Sequence, residues 1–316
     1  MTHNQKIILF GKTGQLGQIL STVLAPLGTL ITFDRQDANF LYPEQIHALL
    51  SRHKPTIIVN AAAFTAVEQA EKDPTTAFTI NAETVSVLAN YAYATGACLI
   101  HYSTDYVFDG IKTAAYLETD TPQPINIYGH TKYQGEQYIM HSGCKGVILR
   151  TSWVYAYHGN NFLRTILHLA QEKTSLQVVD DQIGSPTSVD LLANVTAQII
   201  QRNINHRTAI PPGLYHLTAS EETSWHQYAV FFLRELQQYG FHYLLQPEQI
   251  QPINSEAYPA LAKRPKNSCL NTSKLERTLD RRFPSWHSGV QSWIKQFIKD
   301  VSHGNHTPNH PRHIIT

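Results

Sequence analysis

The stretch Lys6-Ile7-Ile8-Leu9-Phe10-Gly11-Lys12-Thr13-Gly14-Gln15-Leu16-Gly17 decides how this chain is read. A short apolar run breaks into glycines, and from Leu16 onward Ile19, Leu20, Val23 and Leu24 recur at helical spacing. The pattern is strand, glycine turn, helix. Glycines at 11, 14 and 17 permit a tight turn, let backbone amides approach a pyrophosphate, and bring the helix close to a sheet with its positive end toward the phosphates. The spacing is Gly-x-x-Gly-x-x-Gly rather than Gly-x-Gly-x-x-Gly. Gly11, Gly14, Gln15, Leu16 and Gly17 are therefore candidate dinucleotide contacts.

Outward from this turn, apolar runs and helical stripes alternate. Leu30 to Phe33 is a second strand, ending in Asp34-Arg35 about 20 residues past the glycines, where an acid would accept the adenosine ribose hydroxyls and an arginine would pair with a 2′-phosphate. Both residues are present, so NADPH and NADH stay open. Ile57 to Val59 is a buried strand running into Asn60-Ala61-Ala62-Ala63, whose small side chains let a flat cofactor lie against backbone at a sheet edge. Thr84 to Thr95 predicts a helix, and Cys98 to Tyr102 a strand that delivers Ser103-Thr104-Asp105-Tyr106 to the same edge. Val147 to Arg150 is a further strand, leading to Thr151-Ser152-Trp153. The alternation argues an α/β fold with a Rossmann-like, doubly wound parallel sheet over residues 1–153. A smaller C-terminal α/β substrate-binding domain would occupy mainly 154–300, with the helix near 190–201 placed to return to the sheet. Thr223-Ser224 would cap a helix whose Trp225, Tyr228, Ala229 and Phe232 form a core stripe. Pro252 to Asn271 reads as loops, and 302–316 as a disordered tail.

Composition narrows the function. In a chain of 316 residues, 25 basic side chains against 24 acidic ones give a net charge of +1, which argues against nucleic acid or an anionic membrane surface as partner. No apolar run approaches the roughly 20 residues of a membrane span, and the N-terminus leads straight into a strand, so a cytoplasmic protein is expected. Cys98, Cys144 and Cys269 stand too far apart for a metal site and read as small buried hydrophobes in a reducing compartment. The 17 histidines are scattered, with no metal-ligand spacing.

The remaining chemistry sits in Tyr128-Gly129-His130-Thr131-Lys132. On a helix, residues four apart share a face, so the phenol and the ammonium project into one cleft. A cation beside a tyrosine favours its phenolate, and the expectation is a Tyr128 pKa depressed toward the working range of a general acid.

Eight strings carry a wider resemblance: Gly-Lys-Thr-Gly-Gln-Leu-Gly at 11–17, Asn-Ala-Ala-Ala at 60–63, His-Tyr-Ser-Thr-Asp-Tyr-Val-Phe at 101–108, Asn-Ile-Tyr-Gly-His-Thr-Lys at 126–132, Arg-Thr-Ser-Trp-Val-Tyr at 150–155, Gly-Asn-Asn-Phe at 159–162, Asp-Gln-Ile-Gly-Ser-Pro-Thr at 181–187 and Arg-Pro-Lys-Asn-Ser at 264–268. On these the chain resembles the extended short-chain dehydrogenase/reductases, and within them the dTDP-4-dehydrorhamnose reductase family, over residues 6 to 300. The resemblance implies reduction of the C4 ketone of a dTDP-sugar by NADPH or NADH, in the last step of dTDP-L-rhamnose synthesis. It makes Tyr128 the general acid, Lys132 its tuner and ribose anchor, and Thr104 the hydroxyl partner of both substrate and tyrosine. Thr104, Asp105, Tyr106, Trp153 and Arg264 are its substrate-side residues. Gly14, Gln15, Leu16, Asp34, Asn39, Phe40, Ala62, Ala63, Phe64, Thr65 and Tyr102 would surround the cofactor, with Tyr128 and Lys132. Asn39 departs from the aspartate that relatives commonly carry there. Several relatives bind magnesium at a dimer contact through an acid on the first helix, but 18–25 holds no carboxylate and leaves only Asp190 opposite, so no metal ligand is assigned. A homodimer is compatible with the resemblance. Two other readings share the fold: a non-catalytic regulatory subunit like the methionine adenosyltransferase β-subunit, against which the Thr104–Tyr128–Lys132 set argues, and a 4,6-dehydratase or other sugar-nucleotide enzyme. A dehydratase wants a second carboxylate after Asp105, where this chain has Tyr106.

Overall fold

A computed structural model describes residues 5–205 and 209–303. Its centre is a six-stranded sheet built from β1 (Lys6–Phe10), β2 (Thr29–Phe33), β3 (Ile57–Asn60), β4 (Cys98–Thr104), β5 (Lys145–Thr151) and the strand Gly213–His216. The order across the sheet is Gly213–His216, β5, β4, β3, β1, β2, and every pairing is parallel. β1 explains why the sheet is covered on both sides. Ile7 and Leu9 enter one core and Ile8 and Phe10 the other, none of them more than 1% exposed, as an apolar strand with period-two side chains requires.

Among the described residues eleven α-helices accompany the strands: α1 (Gln15–Leu24), α2 (Pro43–His53), α3 (Val67–Lys72), α4 (Pro74–Phe78), α5 (Thr84–Thr95), α6 (Ile127–Ser142), α7 (Phe162–Glu172), α8 (Val189–Ile204), α9 (Trp225–Gln238), α10 (Ser273–Leu279) and α11 (Trp286–Ser302). Their starts are written locally. Asn126, Asn161, Ser188 and Ser224 each accept a hydrogen bond from the backbone amide three residues on, the arrangement that satisfies an orphan donor at a helix start. α1 and α8 pack together on the face that holds Ile7 and Leu9, and α2 and α5 on the other.

The chain leaves β1 for β2 on one side, and β3 lies on β1's other side. This switch point opens a crevice over the carboxyl ends of the strands, where doubly wound sheets hold ligands. Gly213–His216 was not read as a strand, yet it extends the sheet beside β5. Pro252, expected in a loop, lies in Ile250–Ile253, which pairs in parallel with Leu176–Val179; in a two-stranded ribbon a missing amide donor is tolerated. Of the tail 302–316, Ser302 closes α11 and His303 caps it; the rest lies outside the described residues. Cys144 and Cys269 are buried thiols, but Cys98 is half-buried and accepts from Asn203 Nδ2 at 3.3 Å.

Candidate active site

The glycine turn shows which glycines the fold itself requires. Gly11 has φ +85° and lies so close to Ala61 that an added Cβ would meet its carbonyl at 2.8 Å. A Cβ on Gly17 would lie 1.9 Å from Gly11 O. Gly14 is different. A Cβ there would find only Gly11 O at 3.4 Å, an ordinary contact. The protein leaves that position open, as the approach of a pyrophosphate needs. Gly14 is also the N-cap of α1, with no side-chain cap and no acid in the first turn, so the helix's first amides remain available to an anion. These features fit a dinucleotide.

At the end of β2, Asp34 Oδ1 accepts from the amides of Gln36 and Asp37, and its other oxygen lies 3.3 Å from Lys12 Nζ. Lys12 is closer still to Asp37, at 2.6 Å. Asp34, Arg35, Asn39 and Thr13 line one small pocket at this end, suited to an adenosine. Asn39 Oδ1 is engaged by the Leu41 amide at 3.0 Å. Several expected cofactor residues contribute differently from the expectation. The Phe40 side chain lies in the core against Phe10, with ring centroids 5.2 Å apart. The Tyr102 hydroxyl bonds Thr196 at 2.5 Å in the core that holds α8, so only its backbone serves the crevice. The Gln15 side chain turns to the 156–161 loop, donating to Asn160 O and accepting from Ala156 N and Asn161 Nδ2. In each case the residue sits where the pattern places it, while packing chooses the direction of its side chain.

α6 brings the reacting groups to the sheet edge. Asn126 caps it and also donates to Lys263 O at 2.8 Å. Gly129 allows it to sit on the turn after β4, because a Cβ there would meet Tyr106 O at 2.1 Å. Tyr128 is then packed edge-on against Tyr106, with centroids 5.9 Å apart. Here the structure reverses a predicted sign. Burial pushes the Tyr128 phenol up to about 12; a hydrogen bond with Thr104 opposes the rise and the charge of Asp105 adds to it. Lys132 does not depress it, because its Nζ turns to the β4 backbone, donating to Tyr102 O at 2.6 Å. Desolvation outweighs the cation expected beside the ring. The same burial lowers Lys132 itself to about 8, against the attraction of Glu136.

Thr104 and Asp105 meet the tyrosine from β4. Thr104 Oγ1 donates to Asp105 Oδ1 at 3.0 Å and accepts from the Tyr106 amide. Asp105 is 3% exposed, its Oδ2 has no hydrogen-bond partner among the described residues, and burial raises its carboxyl to about 7. Ser103, one residue earlier, points to the other side of the strand and donates to Glu136 Oε1 at 2.5 Å, where Arg150 also binds through two nitrogens. That alternation leaves Thr104 as the hydroxyl facing the phenol.

A cleft of about 2150 Å³ is walled by Thr65, Trp153, Phe162, Trp225, Tyr258 and Arg264 among others. Trp153 adopts φ +46° and stacks on Trp225 at 3.6 Å, with 6° between the ring planes. Arg264 reaches Glu68 Oε1 at 3.3 Å, and the other Glu68 oxygen accepts from the amides of Leu261 and Ala262. Trp225, assigned to the core by its helical stripe, is thus a cleft wall. Asn81 and Glu68 escaped the sequence reading. Asn81 clamps Phe64 through both its amide and carbonyl and donates to Thr131 on α6; its placement in a π-helical turn, Thr79–Glu83, is the only signal, and it is a structural one. Among the described residues no group of three or more His, Cys, Asp or Glu could hold a metal ion. Asp190 stands exposed in the first turn of α8.

A parallel doubly wound sheet, a glycine turn at its switch point and a Tyr-x-x-x-Lys helix beside a β4 hydroxyl define an oxidoreductase of the extended short-chain dehydrogenase/reductase class. The family model described as "RmlD substrate binding domain" matches residues 5–299. The chain is 44% identical to dTDP-4-dehydrorhamnose reductase of Escherichia coli K12 over 296 residues, 92% of this chain and 98% of that one. Two crystal structures at 33% identity share the architecture: dTDP-4-dehydrorhamnose reductase from Bacillus anthracis in complex with NADP (TM-score 0.81, covering 93% of this chain and 99% of that one) and its counterpart from Clostridium acetobutylicum (TM-score 0.85, 93% and 100%). The chain belongs to the dTDP-4-dehydrorhamnose reductase family.

Proposed function

We propose that the chain reduces the C4 ketone of dTDP-4-dehydro-L-rhamnose to dTDP-L-rhamnose with NADPH or NADH, the final step in making that nucleotide sugar. The observation that carries the site assignment is the meeting of Tyr128, Thr104 and Asp105 at the carboxyl end of β4, with Lys132 one helical turn on. The nicotinamide supplies hydride to C4 when bound. The protein's own task is the proton. As charge develops on the C4 oxygen, Tyr128 gives up its phenolic proton, with the Thr104 hydroxyl beside it. A phenol held in its neutral form by burial keeps that proton ready throughout the neutral range.

In this proposal Gly11, Gly14, Gly17, Asp34, Arg35 and Asn39 seat the phosphates and adenosine. Ala62, Ala63, Phe64 and Thr65 flank the nicotinamide half through backbone held by Asn60 and Asn81. Tyr106, Trp153 and Arg264 line the sugar-nucleotide side. Residues 1–153 then serve the cofactor and 154–300 mainly the substrate, with α8 and Gly213–His216 returned to the first part. Three free cysteines support a reducing, cytoplasmic setting, and among the described residues no helix is long and apolar enough to cross a membrane. A homodimer is compatible with the fold and is read by sedimentation. Purified protein incubated with dTDP-4-dehydro-L-rhamnose and NADPH should consume nicotinamide absorbance in step with product. Tight NADPH binding without turnover would instead select the regulatory reading.

A further inference from the structure

Lys132 is held directly by β4, and the groups around it are tied in turn to β3, β5 and its own helix. β4 supplies the Tyr102 carbonyl, at 2.6 Å, and His101 Nε2, at 3.3 Å. β3 supplies Asn60, whose Nδ2 lies 3.0 Å from the far ring nitrogen, His101 Nδ1. α6 supplies Glu136, which favours the ammonium and is itself gripped by Ser103 of β4 and Arg150 of β5. Asn60, His101 and Lys132 are each no more than 2% exposed. The orientation of Asn60 determines the rest. Its Oδ1 accepts from the Ala62 amide at 3.1 Å, which turns its NH₂ toward the imidazole. A donor facing Nδ1 requires that nitrogen to be bare, so the hydrogen-bond network assigns the neutral ring's single proton to Nε2, the nitrogen facing Lys132.

A ring N–H opposed to an ammonium is repulsive; opposed to a neutral amine it is a hydrogen bond. We propose that His101, its tautomer set by Asn60, is a positioning residue for Lys132 that favours the neutral amine and holds it through Nε2–H···Nζ, and so sets the proton affinity of this lysine. This rests on the proposed role of Lys132 beside the general acid Tyr128. When Lys132 loses a proton, one N–H bond breaks, the electron pair left on Nζ accepts from His101 Nε2–H, and the proton passes to solvent water; nothing is oxidised. Burial together with the Lys132 charge keeps His101 from taking the proton itself, since both hold the imidazole well below its ordinary value.

The test reads protons rather than turnover, so it stands even if the substrate assignment fails. In protein labelled with ¹⁵N-histidine and ¹³C-lysine, titrated by NMR from about pH 6 to about pH 10, His101 should stay neutral with its proton on Nε2, and Lys132 should titrate near 8. His101→Leu removes the N–H while keeping the site apolar. Burial alone predicts an unchanged or lower Lys132 midpoint, whereas loss of an opposed N–H predicts a rise of at least about half a unit, roughly threefold in proton affinity. His101→Gln, which can restore an N–H, should bring the midpoint back toward wild type, and the alkaline limb of NADPH-dependent reduction should move with it. A ring proton found on Nδ1 of the wild-type protein, or a midpoint that stays or falls in His101→Leu, overturns the proposal.

Discussion

Asp105→Asn tests the electrostatics of the site through stability. Asp105 is 3% exposed, one carboxyl oxygen has no hydrogen-bond partner among the described residues, and burial raises its pKa from 3.8 to about 7. A raised carboxyl means that the folded state binds the proton more tightly than the unfolded chain. The associated stability is fully present below the unfolded value and is lost as pH rises through about 7. A rise of about three units at 1.36 kcal/mol each corresponds to about 4 kcal/mol between the two limits. Asparagine reproduces the protonated, uncharged form at every pH. At about pH 3.5 the variant should therefore melt close to wild type, while at about pH 8.5 it should be the more stable protein. With an unfolding entropy of about 2.1 cal/mol/K per residue, 4 kcal/mol is worth about 6 °C in a chain of this size. Differential scanning calorimetry of both proteins at the two pH values measures the change. A variant-minus-wild-type difference that is independent of pH, or larger in acid, would refute the reasoning, because the carboxylate would then have found solvent or a partner. Removing the Asp105 charge should also lower the Tyr128 pKa, to which that charge now adds.

Glu136→Ala strips the carboxylate from Arg150, whose side chain is 2% exposed, and should cost about 3–5 kcal/mol in a urea titration; a loss below about 1 kcal/mol would mean that the guanidinium escapes to water. Tyr128→Phe should lose at least ~10²-fold in turnover while still binding NADPH, and near-normal turnover in a folded variant would remove the tyrosine from the mechanism. Because burial keeps that phenol protonated to about 12, a fall in wild-type reduction as pH rises through about 8 should trace the loss of the Lys132 ammonium, not of the phenol; Lys132→Met should lack this limb in a pH–rate profile. Arg35→Ala should raise the Michaelis constant for NADPH far more than that for NADH if Arg35 grips a 2′-phosphate, and equal effects would retire the assignment.

The alternation of strands and helices over residues 6–153 determined the fold class, because each strand, turn and helix is written at short range, as residues 6–24 show: an apolar run, glycines, then a helical stripe. The same holds for the helix start at Ser224, where a side chain bonds an amide three residues away, and for Tyr128 and Lys132, whose common face follows from a spacing of four. What those side chains meet was not legible. Lys132 is met by Tyr102 O and His101 from a strand about thirty residues earlier, and the sheet order, not local pattern, brings them together. Tertiary burial set the sign of the Tyr128 shift, since desolvation depends on everything packed around a group and the sequence displays only its neighbours along the helix. Tyr102, Phe40 and Gln15 make the same point: pattern placed their backbones at the crevice, and packing against Thr196, Phe10 and the 156–161 loop turned their side chains elsewhere. Gly213–His216 joined the sheet only because β5 offered a parallel edge, a partner that lies more than sixty residues away in the chain.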